Sequence, residues 1–294
     1  MISVNNLTLK YRNGKGVFNL NFEVKKGEVI GYLGPNGAGK TTTIRALMGF
    51  IKPDEGQATI NGLDSFKDAP EIMNNLGYLP GEITFLDGMT GEEYLNYLAE
   101  VRGMKDLSRQ KELIQMFEFS PSGSIKKYSK GMKQKLGIVA AFMHDPEILI
   151  LDEPTSGLDP LMQNRFVELI QEEKARGKTI LMSSHMFEEV ERTCDHVLII
   201  KDGHLVAHAD IDTLKNSQRR GYEIKTTNNE QAIDILLKSG FDAKPLNDSI
   251  EVYITGENID NFIKTCALFH VISLDIKAQT LEDVFMHYYA RGNK

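Results

Sequence analysis

The pattern of hydrophobic and polar residues predicts three strands at the start of the chain. Residues 1–10 alternate between apolar and polar side chains, residues 16–24 do so again, and "GEVIGYLG" (27–34) is an apolar run that glycine ends. Both patterns are typical of strands. Residues 40–50, "KTTTIRALMGF", then change to the spacing of a helix. Strand, glycine-rich loop and helix in this order predict the opening of a parallel α/β unit.

The middle of the chain changes from helices to buried strands. From about residue 90 to 145 the pattern is helical throughout. Short apolar runs follow at 147–152, 179–184 and 196–209, separated by polar helices such as 161–176. Runs of this kind are typical of strands buried in a parallel sheet.

The last quarter of the chain has a different texture, which begins with the polar stretch "DTLKNSQRRG". We predict a domain at 1–212, a linker at 213–220 and an accessory domain at 221–294. The elements predicted in the last domain are a strand at 222–227, a helix at 229–239, strands at 241–246 and 249–255, a helix at 257–267 and a strand at 270–276. This is the split β-α-β order of a ferredoxin-like unit. An amphipathic helix is predicted at 280–290.

Composition narrows the class of protein. The chain has 294 residues, of which 41% are hydrophobic, and this is enough for a full buried core. Its formal net charge of −7 argues against a protein that coats nucleic acid. Cys194 and Cys266 fit no metal or disulfide spacing, which indicates reduced, structural thiols in a cytosolic protein. We find no signal peptide and no apolar window long enough to span a membrane.

A phosphate-binding loop is predicted at Gly34 to Thr41. The stretch "GPNGAGKT" fits the pattern G-x-x-x-x-G-K-[ST] and lies between a strand and a helix, as that pattern requires. Its glycines let backbone N–H groups wrap a phosphate, Lys40 places a charge at the β and γ oxygens, and the Thr41 hydroxyl would bind Mg²⁺. A glycine-rich turn that merely caps a helix would not explain this lysine and threonine. A dinucleotide site is not indicated, because the loop has no G-x-G-x-x-G.

Two adjacent acids follow the apolar run "EILIL". Asp152 ends this strand beside the phosphate loop, where a ligand of Mg²⁺ belongs, and Glu153 could polarise an attacking water. Adjacent residues at a strand end diverge, so one carboxylate can face the metal and the other the γ-phosphate. The alternative is that Glu153 only caps the turn "PTSG" that follows.

The apolar strand "TILMSSH" ends in His185. It follows the Asp152 strand after one helix, so the two strand ends are expected to be neighbours at the ligand edge of the sheet. His185 would then touch the γ-phosphate. A lone histidine is more often a structural residue, and this alternative stays open.

Four motifs in order resemble the ATP-binding cassette (ABC) family of transporter ATPases. They are "GPNGAGKTT", "YSKGMKQKL", "ILILDEPTSGLDP" and "SSH", and the resemblance covers residues 1 to about 210. It implies an α/β P-loop NTPase cassette, with a mixed sheet core and a helical subdomain at about 90–145. The small C-terminal α+β domain would be the ferredoxin-like one.

The resemblance also implies a set of residues that bind ATP. They are Tyr11, Gly34, Asn36, Gly37, Ala38, Gly39, Lys40, Thr41, Thr42, Ser129 and Gly131. Tyr11 matches the aromatic residue that stacks on adenine, although on its own it would be taken for an ordinary strand residue. Ser129 and Gly131 match the family signature, in which a helix N-terminus of one cassette caps the γ-phosphate held by the other.

For hydrolysis, the resemblance makes Asp152 the acid associated with Mg²⁺, Glu153 the catalytic glutamate and His185 the switch histidine. Residues 156–159, "SGLD", match the loop that crosses the dimer interface. Two ATP molecules would thus be enclosed in a head-to-tail dimer with two-fold symmetry.

Two departures from the family pattern matter. The signature usually reads Leu-Ser-Gly-Gly-Gln, whereas this chain has Lys130 and Met132 in place of the first glycine and the glutamine. The family also has a metal-binding glutamine where this chain has Gly81, followed by Glu82. Either Glu82 replaces it as a metal ligand, or a backbone carbonyl or a water does.

These departures and the tail "TLEDVFMHYY" resemble a bacterial subgroup that energises exporters of drugs, bacitracin-type peptides or sodium through separate membrane subunits. The chain would be an ATP-hydrolysing motor subunit on the cytoplasmic face of the membrane. Its partners would be the permease, docked on the 81–90 loop and the helices of 90–127, and a second copy or homologous cassette. No nucleic acid partner is expected.

Two other classes of protein are weighed against this one. A P-loop kinase for small molecules would need an arginine-bearing lid and an acceptor pocket, whereas this chain has a signature-like helix and "SGLDP". Soluble cassette ATPases of DNA repair or the ribosome resemble either two cassettes in one chain or a cassette with a long coiled-coil insertion, and neither is present in the sequence.

Overall fold

The computed structural model describes residues 1–213, 220–254 and 258–277. The chain divides into two compact units, Met1–Ile211 and Asp212–Lys294. The helix predicted at 280–290 and most of the predicted linker lie outside the described residues.

The first unit is built on a six-stranded sheet that is parallel except at one edge. Its strands are β3 (Val29–Leu33), β6 (Leu76–Leu79), β7 (Ile148–Asp152), β8 (Thr179–Ser184), β9 (His196–Lys201) and β10 (His204–Asp210). They lie in the order β10-β9-β3-β8-β7-β6, and only β10 runs antiparallel to its neighbour. Every residue of β3, β7 and β8 is buried, as expected for central strands covered on both faces. The predicted α/β core with a mixed sheet is confirmed.

A second, antiparallel sheet packs over the first. It contains β1 (Ile2–Lys10), β2 (Gly16–Val24), β4 (Glu55–Ile60) and β5 (Leu63–Asp64) in the order β2-β1-β4-β5. Apolar side chains of both sheets form one core with those of α1 (Lys40–Leu47), the helix that follows the phosphate loop. The loop is therefore attached, through α1, to the core that the two sheets share. The sequence pattern did not predict β4, β5 or β6.

Six further α-helices and one short 3-10 helix, Ile125–Lys127, belong to the first unit. The six α-helices are α2 (Ala69–Asn74), α3 (Gly91–Val101), α4 (Ser108–Met116), α5 (Lys130–Phe142), α6 (Pro160–Ala175) and α7 (Phe187–Thr193). The first of the helices predicted at 90–145, α3, begins with a capping box in which Thr90 and Glu93 satisfy each other's backbone N–H groups. Within the described residues, we find no helix with the length and apolar character needed to cross a bilayer.

The second unit has its own sheet and core. Its elements are β11 (Arg220–Thr226), α8 (Asn229–Lys238), β12 (Asp242–Leu246), β13 (Ser249–Ile254), α9 (Ile259–Cys266) and β14 (Val271–Lys277). The strands are antiparallel in the order β12-β13-β11-β14, and α8 and α9 supply the apolar residues that cover one face. The β-α-β-β-α-β order is the one that the sequence predicted. That the unit is a ferredoxin-like domain remains our interpretation.

Both cysteines are free and buried, in keeping with the prediction of structural thiols. Burial raises the pKa of the Cys194 thiol to about 12 and that of Cys266 to about 11. Both therefore remain protonated at neutral pH, and a protonated thiol is a poor nucleophile.

Two adjacent leucines of α8 test the packing of the second unit. Leu236 is fully buried in its core, whereas Leu237 is 51% exposed. We expect Leu236→Ala to lower the free energy of unfolding by about 2–5 kcal/mol, because it leaves a cavity. Leu237→Ala should change it by less than about 0.5 kcal/mol. Hydrogen exchange of the amides in β11 and β13 measures both effects, and equal losses would contradict this core.

Candidate active site

The predicted site residues meet at one edge of the six-stranded sheet. Strand β8 lies between β3 and β7, with Ser184 opposite Leu33 and Ser183 opposite Asp152. These strands are parallel, so their carboxyl ends reach the same edge, where ligands bind in open α/β sheets. The prediction that the strands of Asp152 and His185 are neighbours is confirmed.

Close packing explains two glycines of the phosphate loop, Gly34 and Gly39. A Cβ on Gly34 would lie 2.4 Å from the carbonyl oxygen of Ile200, and one on Gly39 would lie 2.7 Å from Cγ1 of Val17. Gly39 also has a φ of 114°, which only glycine adopts readily. No side chain caps the N-terminus of α1 behind it, so the helix offers its N-terminal dipole to the loop.

The ammonium group of Lys40 occupies the centre of this loop. Lys40 is 6% exposed, and its Nζ donates to the carbonyl oxygens of Gly34 at 2.6 Å and Pro35 at 3.3 Å. Nζ also lies 3.1 Å from Oε1 of Glu153. A buried charge needs such partners, because removing it from water is costly. Lys40 therefore connects the phosphate loop to the acid at the end of β7.

Asp152 is completely buried and both of its carboxylate oxygens are hydrogen-bonded. The Thr41 hydroxyl donates to Oδ2 at 2.8 Å, and the Ser183 hydroxyl donates to Oδ1. Burial and the charge of Asp152 together raise the pKa of the nearby Tyr78 to about 12. Hydroxyl and carboxylate oxygens side by side are donors that suit Mg²⁺.

Glu153 has an unusual backbone conformation, and its side chain faces the phosphate loop. Its φ is 50°, a left-handed value that is uncommon outside glycine, and its N–H donates to the carbonyl and the hydroxyl of Ser183. One carboxylate oxygen faces Lys40 and the other lies 2.5 Å from Nδ1 of His185. The turn after it is closed by the Glu153 carbonyl, which accepts from the N–H of Ser156. The backbone, not the side chain, therefore caps this turn.

A cleft of about 360 Å³ brings most of the predicted nucleotide contacts together. The predicted residues that line it are Tyr11, Asn36, Gly37, Gly39, Lys40, Thr41, Thr42 and Glu153. The half-buried Tyr11 packs against the core shared by the two sheets, as an ordinary strand residue would, and yet it also faces this cleft. Asp152 lies beneath the cleft, and His185 is connected to it through Glu153.

The signature residues do not line this cleft. Ser129 caps α5 by accepting from the N–H of Met132 at 3.2 Å, and it is exposed. The start of α5 packs on the loop after Glu153, where Lys130 donates to the Ser156 hydroxyl at 2.8 Å. A Cβ on Gly131 would lie 2.8 Å from the carbonyl oxygen of Gly157, so only glycine fits that contact. Ser129 is thus available to another molecule.

The role of Glu82 as a metal ligand stays a prediction. Glu82 is exposed, and no hydrogen bond or ion pair within the described part of the chain joins it to Thr41 or Asp152. Its neighbour Gly81 faces the site instead, since a Cβ there would lie 3.1 Å from Oδ2 of Asp152.

Two residues of the site were not predicted. Ser183 joins Asp152 to the backbone of Glu153, and Gln134 of α5 donates to the carbonyl oxygen of Pro154 at 2.7 Å. The available signal for Ser183 was the polar pair "SS" at the end of an apolar strand. The sequence contains no such signal for Gln134, because a glutamine with a structural role in a basic helix looks the same as one that only faces solvent.

Ser183→Ala tests the support of the acids. It leaves one oxygen of a buried carboxylate without a donor, so we expect the free energy of unfolding at neutral pH to fall by about 1–3 kcal/mol. The exposed Ser122, whose hydroxyl is near that of Ser120, is a matched control. Ser122→Ala should cost less than about 0.5 kcal/mol in a urea titration. Equal losses in the two variants would contradict the role of Ser183.

Comparisons with known proteins agree with this geometry. The family model described as ABC transporter matches residues 17–156. The bacitracin transport ATP-binding protein BcrA of Bacillus licheniformis is 39% identical over 245 residues, which are 82% of this chain and 80% of that protein. The ABC transporter ATP-binding protein NatA of Bacillus subtilis (strain 168) is 38% identical over 215 residues, 70% of this chain and 86% of that one.

A solved structure supports the same assignment. It is described as the ATP-binding subunit of an ABC transporter, has a TM-score of 0.66 and 34% sequence identity, and covers 73% of this chain and 92% of its own. The similarity in sequence and fold thus agrees with the phosphate loop, the adjacent acids and the histidine at one sheet edge. The chain belongs to the ABC transporter family and is its ATP-binding cassette, an ATPase.

Proposed function

We propose that this ATPase is the motor subunit of an exporter, in which closure of a dimer on ATP drives transport by separate membrane subunits. The observation that carries the proposal is the chain of contacts from Lys40 through Glu153 to His185, beside Thr41 and Asp152. Export is supported by the names of the relatives, among which are a bacitracin transport protein and a linearmycin resistance protein.

ATP would lie in the cleft of the phosphate loop. The loop fits a phosphate because its glycines leave the backbone N–H groups uncovered and Lys40 supplies a buried positive charge. Tyr11 would stack on adenine at one end of the cleft. Thr41 and Asp152 would hold Mg²⁺, and the ion when bound neutralises charge on the phosphates. Glu82 joins this set only if its exposed side chain turns inward.

Hydrolysis would depend on the carboxylate of Glu153. Oε1 of Glu153 is buried 3.1 Å from Nζ of Lys40 and has no hydrogen-bond partner among the described residues, so it would accept a hydrogen bond from a water beside the γ-phosphate when Lys40 turns to the phosphate oxygens. The carboxylate takes a proton from that water as the oxygen bonds to phosphorus and ADP leaves. His185 holds the other carboxylate oxygen, and Lys40 binds the phosphate oxygens.

A second subunit would complete the site. Ser129 is exposed at the N-terminus of α5, which can cap a phosphate held by another cassette. Lys130 does not block this, because its side chain lies over Gly157 and its Nζ bonds Ser156 of its own chain. A bacterial ABC transporter cassette with the same fold, 23% identical with a TM-score of 0.66 over 72% of this chain and 99% of its own, was solved as a dimer. The partner here would be a second copy or a homologous cassette.

The permease would dock on the helical part of the cassette. Large apolar side chains are exposed on the 81–90 loop and on α3, namely Leu86, Tyr97 and Val101. Exposed apolar groups of this kind mark interaction surfaces. A cytoplasmic helix of the membrane subunit on the 81–90 loop and residues 90–127 would hold the ATPase on the inner face of the membrane.

The second unit would lengthen the contact between the two cassettes. No nucleic acid partner is expected.

Glu153→Gln tests this function. We expect it to bind ATP, to elute as a dimer in the presence of ATP, and to lower kcat at least about a hundredfold, because the amide cannot take a proton. Glu168→Gln is the control, since Glu168 is exposed and pairs only with Arg165 among the described residues. Size-exclusion chromatography and phosphate release measure these effects. ATP hydrolysis at the wild-type rate in Glu153→Gln would contradict the proposal.

A further inference from the structure

A buried carboxyl group that does not line the nucleotide cleft lies behind the active-site loops. Glu189 belongs to α7 and is 5% exposed. Its Oε2 accepts a hydrogen bond from the Ser184 hydroxyl at 2.7 Å. Its Oε1 is buried without a hydrogen-bond partner among the described residues, and the Thr155 hydroxyl is near enough to lower the pKa of the carboxyl group. A buried acid with so few partners is costly, so its presence calls for a role.

The two hydroxyls belong to the segments that carry the proposed hydrolytic residues. Ser184 immediately precedes His185, and its oxygen accepts from the N–H of Met186 at 2.9 Å, so it fixes the turn around the histidine. Thr155 is two residues after Glu153 and is buried. The carboxyl group is therefore hydrogen-bonded to the segment of His185 and lines the same cavity as Thr155 of the Glu153 segment.

We propose that Glu189 is a positioning residue that holds the Glu153 and His185 segments in register for ATP hydrolysis. It acts through Ser184 and Thr155 and touches neither the nucleotide cleft nor the reacting atoms. Small displacements of groups that act on a substrate cost large factors in rate, so the support behind them matters. The inference rests on the proposed roles of Glu153 and His185.

The surroundings of Glu189 favour its neutral form. Burial raises its pKa to about 7 from 4.5, the Ser184 and Thr155 hydroxyls oppose this, Glu153 raises it further and His185 lowers it. The thiol of Cys194 is also close enough to feel its charge, and Glu188 and Arg192 line the same cavity of about 180 Å³. A protonated Glu189 still accepts from Ser184 through its carbonyl oxygen.

The sign of the effect on stability follows from these values. The folded chain holds the proton more tightly than the unfolded chain, so the neutral acid contributes fully below about pH 4.5. This contribution is lost as the pH rises through about 7, when the buried group becomes charged. Glutamine keeps the acceptor and never becomes charged.

The experiment compares Glu189→Ala and Glu189→Gln in the full chain with Glu188→Gln as the control on the exposed face of α7. We expect Glu189→Ala to lower kcat by about tenfold to a hundredfold while KM for ATP changes less than about threefold. Glu189→Gln should restore kcat to within about threefold of wild type. The midpoint of thermal unfolding of Glu189→Gln should exceed that of wild type more at about pH 8.5 than at about pH 5.5.

A further variant keeps the test decisive if Glu189→Ala does not fold. Ser184→Ala removes the link to the His185 turn, so it should reproduce the loss in kcat, and adding Glu189→Gln to it should cause little further loss. Wild-type kcat in both Glu189→Ala and Ser184→Ala, with Glu153→Gln inactive, would overturn this inference alone. Wild-type turnover in Glu153→Gln would overturn the proposed function instead.

Discussion

The rest of the site depends on the buried positive charge of Lys40. An ammonium group that is 6% exposed requires close oxygen partners, and the protein supplies two loop carbonyls and the carboxylate of Glu153. The carbonyls can approach because the loop is glycine-rich. The carboxylate can approach because β7 ends at the same edge of the sheet as β3. The glycine-rich loop and the order of the strands thus together bring the oxygen partners to the charge of Lys40.

The parallel strands make this arrangement rigid. Strand β8, which carries Ser183, lies between β3 and β7 in the sheet. The Ser183 hydroxyl donates to the carboxylate of Asp152 and accepts from the N–H of Glu153. These bonds support the left-handed backbone at Glu153, which is strained for a residue with a side chain. That conformation turns the carboxylate toward Lys40 and His185. The strain is therefore located at the residue proposed to act on water.

Much of this site could be predicted from sequence, because its residues stand at the ends of elements. The phosphate loop, Asp152 and His185 each follow an apolar strand, and the order of the strands implied that they meet. The partners inside the protein could not be predicted in this way. Ser183 and Glu189 act through the register of β8 and the packing of α7, and the only local sign of either was the polar pair "SS" at the end of β8. Gly81 lies against Asp152, at the position where the resemblance placed the family's metal-binding residue, and the role of Glu82 as a metal ligand stays a prediction.

We expect each ATP to be enclosed by Lys40 and Glu153 of one subunit and Ser129 of another. A mixture of a Lys40→Ala variant with a Ser129→Ala variant separates the two subunits' contributions, because half of the random dimers would then contain one intact site of two. We expect ATP hydrolysis to rise from the low level of each variant alone to about a quarter of the wild-type rate. If the mixture stays at the level of the separate variants, Ser129 serves its own subunit and the account is wrong.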